Sequence, residues 1–384
     1  MPLARRGPQF AGRVHIHYKI PEEITMNLRN LQKQYVCRAA TTLAAVFLLA
    51  ALAFAGDDGR PVFVLTSTNN PSGNDVVVFK LDTGGTPSLS LFAQLPTGGK
   101  GGASTNAGIL QFKDDLGAVA NYGSNSVSQL LRYDNFIAVG NTIKLAPDCV
   151  KPDSVALTKE HLFVVGTNCA ESHAWPGGSV DGTVISLSDP SAAQIAVGKT
   201  WAAVTLSSGS LLQLPLTQDH GALSGASTSV PLPANANNTP LGEAFWGNIL
   251  GFTPAHSPDS FAIVDENRSI FPVVGPAPPY PTNAPCWVAK GPGSAWYTGN
   301  SPGHAISIFF SDSQGGIFYK SIPLAGAPSD ITVSRDRKWL AVIYAEGVQS
   351  YVSVFAIDAY GDLTPVATSD SIGAAGFSGV AFSE

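Results

Sequence analysis

A chain of 384 residues with 39 Gly, 28 Pro and only 13% charged residues is long enough for a large core and too rich in turn-forming residues for a helical bundle, so it reads as a loop-rich all-β protein. A net charge of -6, a pI near 5.6 and the absence of a Lys/Arg cluster in the globular part exclude nucleic acid and an anionic membrane as partners. Small molecules, glycans and proteins remain.

Residues 1–25 lack a sustained apolar period and carry scattered charge; they read as a disordered extension or a mis-assigned start. Residues 26–55 read as a signal peptide. Met26 is followed by the basic residues Arg29, Lys33 and Arg38, then by an unbroken small or apolar run from Ala39 to Ala55, with Ala53-Phe54-Ala55 as a cleavage site before Gly56. The run is short for an uncleaved anchor. Cys37 precedes the apolar core, which argues against a lipoprotein, and Arg5-Arg6 lies too far upstream for a twin-arginine signal. The expected destination is secreted or periplasmic, in the cell envelope.

From residue 59 onward the pattern is strand, turn, strand, and it repeats. The clearest unit is Ala327 to Ile357, where alternating Ile331 and Val333 lead to a turn at Arg335-Asp336-Arg337 and a buried strand from Trp339 to Tyr344. Similar openings fall near Ala107, Asp153, Ala192, Leu241, Pro285 and Ala327, about every forty residues, as in propeller blades. A further unit is split: Gly376 to Ser383 copies a first strand and Pro61 to Ser67 copies a second. A ring needs such a cut so that its two ends pair and no sheet edge is left open. A β-sandwich would not explain it. The expectation for 59–384 is therefore an all-β, seven-bladed β-propeller, closed by the C-terminal strand pairing in the first blade. A tight turn at Lys159-Glu160 sets Cys149 opposite Ala170 and Val150 opposite Cys169, one register apart, which predicts a Cys149–Cys169 disulfide available to an exported protein. Cys286 is left as a buried free thiol.

The stretches Thr66–Asp82 (TSTNNPSGNDVVVFKLD), Ala120–Leu130 (ANYGSNSVSQL), Ala284–Asn300 (APCWVAKGPGSAWYTGN) and Ser353–Val366 (SVFAIDAYGDLTPV) resemble the repeats of the lactonase-type seven-bladed β-propellers, a family related to 6-phosphogluconolactonase and the carboxymuconate-cyclising enzymes. The chain looks like a divergent secreted member. The resemblance implies hydrolysis or cyclisation of a small sugar-acid or related lactone at the channel mouth. The Pro-Arg-His element of the catalytic branch has no match; its nearest counterparts read Gly242-Glu243-Ala244 and Pro285-Cys286-Trp287. That departure supports an alternative, a non-catalytic propeller binding a glycan or protein. A third reading is an envelope scaffold.

In a propeller, inner strands start at one face, and the loops between second and third strands return to it. Sorting polar residues by that rule gives Glu171 and His173 in a loop from Asn168 to Gly182, together with Glu243, Arg268 and His304, as catalytic candidates. Asn106, Asp153, Asp265, Glu266, Trp287 and Asp330 are the ligand-binding candidates. Carboxylates beside His or Arg suit general acid–base chemistry with an oxyanion to stabilise. For Asp153 and Asp330, hydrogen bonds to turn amides are the competing role. His161, His256, Lys159 and His220 are assigned to turns at the opposite face. No phosphate loop or zinc-ligand spacing occurs. Neither metal nor cofactor is expected, and the chain is expected to be a monomer.

Overall fold

The computed structural model describes residues 59–384 apart from 104–106, 219, 235, 257–260, 266–269, 274–283, 313–314 and 375. The extension and signal peptide read at 1–25 and 26–55 lie outside the described residues, as do Asn106, Glu266 and Arg268.

Seven four-stranded antiparallel sheets make up the fold. In chain order after the first, their inner strands are Leu110–Lys113, Pro152–Leu157, Ala192–Val197, Pro240–Trp246, Pro285–Lys290 and Ala327–Val333, belonging to blades 2 to 7. Blade 1 is the split one. Its inner strand is Ser378–Ser383, which pairs antiparallel with Val62–Ser67, placing Phe63 opposite Ser383 and Thr66 opposite Val380. The ring is thus closed by the two ends of the described chain, as the split repeat requires.

Burial explains the sequence pattern. First and second strands are covered on both faces by neighbouring blades, so they read as continuous apolar runs; the second strand of blade 3, His161–Gly166, is buried throughout. Outer strands have one wet face, and Ser88–Pro96 accordingly exposes most of its residues. The core lies between blades. Phe63 and Leu65 of blade 1 pack in one cluster with Ala118 and Val119 of blade 2 and Val155 of blade 3.

Blades 3 to 7 each begin their inner strand with a register shift, at Pro152/Ser154, Ala192/Gln194, Pro240/Glu243, Pro285/Trp287 and Pro328/Asp330. The closing strand has its own shift, opposite Thr66/Ser67. Such bulges re-aim side chains at the rim of a closed array. The weakest outer strand is in blade 3, where Ile185–Ser186 spans two residues.

Candidate functional site: the central channel

The inner strands surround a cavity of about 380 Å³. At the end where the strands start, Gly108 ties the ring together. Its N–H donates to Asp330 Oδ2 of blade 7 at 3.3 Å, and its carbonyl accepts from Val155 N–H of blade 3 at 2.8 Å. Asp330 Oδ2 also accepts from Val380 N–H of blade 1 at 3.2 Å, and Oδ1 from Ile331 N–H at 2.8 Å. The same level carries Gln194, whose Oε1 accepts from Glu243 N–H at 2.7 Å. Only glycine fits at 108: φ is +69°, and a Cβ would sit 2.8 Å from Ser154 Oγ. From this belt the cavity runs to the turns at the far ends of the inner strands, where Lys113, Asp114, Arg335 and Glu384 line it. Arg335 is 77% exposed there, so the cavity meets solvent at the turn face, opposite the face from which the candidates were chosen.

Glu243 is the anomalous residue of the wall. Counting register from the bulge, it stands where blades 3, 4, 6 and 7 place Val155, Ile195, Val288 and Ile331. It is 1% exposed, and neither carboxyl oxygen has a hydrogen-bond partner. Burial pushes its titration well above the ordinary carboxylate range, and the amides of Ala196 and Thr205, near the carboxyl but outside hydrogen-bond geometry, offset this only in part. Asp330 is also held up by burial, to about 7, despite its three amide donors. Lys290, at the turn end, is pulled down to about 8 by burial and by the charge of Arg337. Its Nζ is fully occupied, donating to the carbonyls of Gly291, Gly293 and Ala295 at 2.8, 2.7 and 3.1 Å and lying over the rings of Trp246 and Trp296.

The other candidates are dispersed. The loop expected around Glu171 and His173 is a strand: the turn is only Thr167-Asn168, and Cys169–Ala174 is the third strand of blade 3. Both side chains are 0% exposed. Glu171 Oε1 meets His173 Nε2 at 2.8 Å, Glu171 Oε2 accepts from Ala146 N–H at 3.0 Å, and His173 Nδ1 donates to the Gly178 carbonyl at 3.0 Å. They face each other inside the blade, and neither lines the central cavity. Asp265 follows the third strand of blade 5, Phe261–Val264, so its loop belongs to the turn face rather than the strand-start face. His256 moves the other way, into the loop after Ile249–Pro254. His304 is exposed in a left-handed turn (φ 46°) between the second and third strands of blade 6. Asp153 is buried within its bulge, and Trp287 is a packing residue whose Nε1–H donates to the Pro328 carbonyl at 2.8 Å. Gln194 and Gly108 were not singled out from the sequence, although a lone Gln in the apolar run AAQIAV was a usable signal.

The disulfide joins Cys149 to Cys169 with a Cα separation of 5.4 Å. Cys286 Sγ donates to the Ala284 carbonyl at 3.2 Å, and burial pushes its thiol up to about 11, so it is an inert packing thiol. Among the described residues no group of three or more His, Cys, Asp and Glu is placed to hold a metal ion.

This architecture defines a seven-bladed β-propeller. Among solved structures, a candidate 6-phosphogluconolactonase from Bacteroides fragilis superposes with a TM-score of 0.61 at 13% identity, covering 86% of this chain and 99% of that one. A protein of unknown function from Desulfotomaculum acetoxidans gives a TM-score of 0.61 at 15% identity, with coverages of 84% and 99%. A Lactobacillus plantarum protein gives a TM-score of 0.61 at 14% identity, with coverages of 85% and 100%. No protein-family model and no curated protein sequence matches the chain. At these identities the likeness is one of fold.

Proposed function

We propose that this is an exported lactonase-like hydrolase that takes a small lactone into the central channel from the turn face. The observation that carries the reading is Glu243, a buried carboxyl without partners on the wall of a ligand-sized cavity. Kept neutral by its surroundings, it can give its proton to the lactone ring oxygen as the acyl C–O bond breaks. Water adds to the carbonyl carbon, and its proton passes to ionised Asp330, which has a lone pair beyond those its amide donors use. The product is the open hydroxy acid. The likeness to a candidate 6-phosphogluconolactonase supports the lactone class. Export is supported by the apolar run at 39–55 and by the disulfide.

A lactone panel assayed on protein beginning at Gly56 is the test. Turnover should rise as pH passes through about 7, where Asp330 ionises, and Glu243→Gln should lose at least about a hundredfold in rate. Unchanged turnover in that variant would remove Glu243 from the chemistry. A second reading, binding of a glycan or protein without catalysis, is favoured by the inward burial of Glu171 and His173; it takes over if no lactone is hydrolysed.

A further inference from the structure

We infer a second site, beside the channel mouth, for the carboxylate or phosphate group of a small molecule. A separate cavity of about 420 Å³ lies between the inner-strand turns of blades 2, 3 and 4. Lys113, Lys159 and His220 line it, with Leu157 and Val197 as its apolar wall and Glu160 as its carboxylate. Lys113, Leu157 and Val197 also line the channel cavity, so a group bound here sits next to whatever occupies the channel.

The charge arrangement points to an anion. The chain carries a net -6, yet this concavity holds two ammonium groups against one carboxylate. Counterions are available next door but turned away: Asp114 pairs with Arg335 at 2.5 Å and Asp115 with Arg60 at 2.6 Å. Neither Lys113 nor Lys159 pairs with a carboxylate among the described residues. The excess of one positive charge is what a single oxyanion group neutralises, and the apolar wall strengthens the attraction relative to open solvent. The site is also built rather than incidental. His220 is held in a left-handed conformation (φ 57°), its N–H donating to the Lys199 carbonyl at 2.8 Å and its carbonyl accepting from Thr158 Oγ1 at 3.5 Å. These bonds pin the outer loop of blade 4 over the turn of blade 3 and give the cavity its third cationic or hydrogen-bonding wall.

Binding here does not require hydrolysis in the channel, so the inference stands or falls separately from the lactonase reading. Isothermal titration at constant ionic strength, with inorganic phosphate in one arm and acetate in the other, tests it. Saturable binding of at least one anion is expected, weakened about tenfold or more in Lys113→Gln and in Lys159→Gln and unchanged in Lys80→Gln, a lysine exposed on blade 1. The tighter arm identifies the group the site takes. Thermal unfolding of each variant reports that the fold is intact. Absence of saturable binding in both arms, or equal affinity in the wild type and both cavity variants, would overturn the inference.

Discussion

Glu243 and Asp330 are both carboxyls raised by burial, but the fold treats them differently. Asp330 makes three amide contacts that join blades 7, 1 and 2, so its burial is repaid in ring geometry. Glu243 makes none and occupies a place where other blades put aliphatic side chains. A buried polar group left unpaired is destabilising by about 1–3 kcal/mol. Glu243→Leu should therefore raise stability by about that amount while abolishing whatever the channel does. The pH dependence has a fixed sign. For both acids the folded chain binds more protons than the unfolded chain between the ordinary and the raised value, so stability present at low pH is lost as pH rises across that window. For Asp330 the window runs from about 3.8 to about 7; for Glu243 it opens near 4.5 and extends well above it. Urea titrations over pH 4–8 should show a falling stability whose slope is reduced in Glu243→Gln; an identical slope would mean that Glu243 is ionised in the fold.

The third strand of blade 3 shows what a hydropathy pattern can and cannot reveal at the level of an element. Cys169-Ala-Glu-Ser-His-Ala174 has three polar residues in a row, and polarity of that kind reads as loop. In the fold the polarity is internal: Glu171 and His173 bond each other, Ser172 Oγ donates to the Asp181 carbonyl and accepts from Leu223 N–H, and the strand is buried except at its end. Mutual pairing leaves no trace in the order of residues. The disulfide was legible although the hairpin register that predicts it shifts by one at Pro152/Ser154, because the Thr167-Asn168 turn starts the third strand at Cys169 and still leaves its Cα 5.4 Å from that of Cys149. Together with Asn168, which accepts from Val150 N–H and donates to the Asp148 carbonyl, the disulfide fastens the connection between blades 2 and 3 onto that hairpin. Replacing Cys149 and Cys169 by Ser should lower stability by about 2–4 kcal/mol. Limited proteolysis should then cut between 145 and 151, a segment resistant in the oxidised protein. Unaltered cleavage kinetics would mean that Asn168 and Glu171 suffice to hold it.

At the scale of the whole molecule, the period and the split repeat were readable because strand spacing and ring closure constrain every blade alike. The open end of the channel was not readable, since it depends on Gly108 meeting Asp330 across 222 residues of sequence, a contact that no local pattern encodes. Closure itself rests on Ser378–Ser383, which supplies the inner strand of blade 1, and on the buried guanidinium of Arg132 in blade 2. That group donates to the Ser383 carbonyl, to Ser383 Oγ at 2.9 Å and to the Pro61 carbonyl at 2.5 Å, joining both ends of the split blade. Removing residues 377–384 should leave Val62–Ser67 with an unpaired edge, strand Leu110–Lys113 without its neighbour, and Arg132 without the Ser383 carbonyl and hydroxyl that accept from it. An exposed strand edge of this kind recruits other chains. The truncated protein should therefore elute as aggregates where the full-length protein elutes as one species, and a synthetic peptide of residues 376–384 should restore both the elution position and cooperative unfolding by filling the missing strand. A truncated chain that elutes and unfolds like the intact one would show that the remaining six blades and the Val62–Ser67 edge hold the ring without its last strand, and closure would lose its place as the organising interaction.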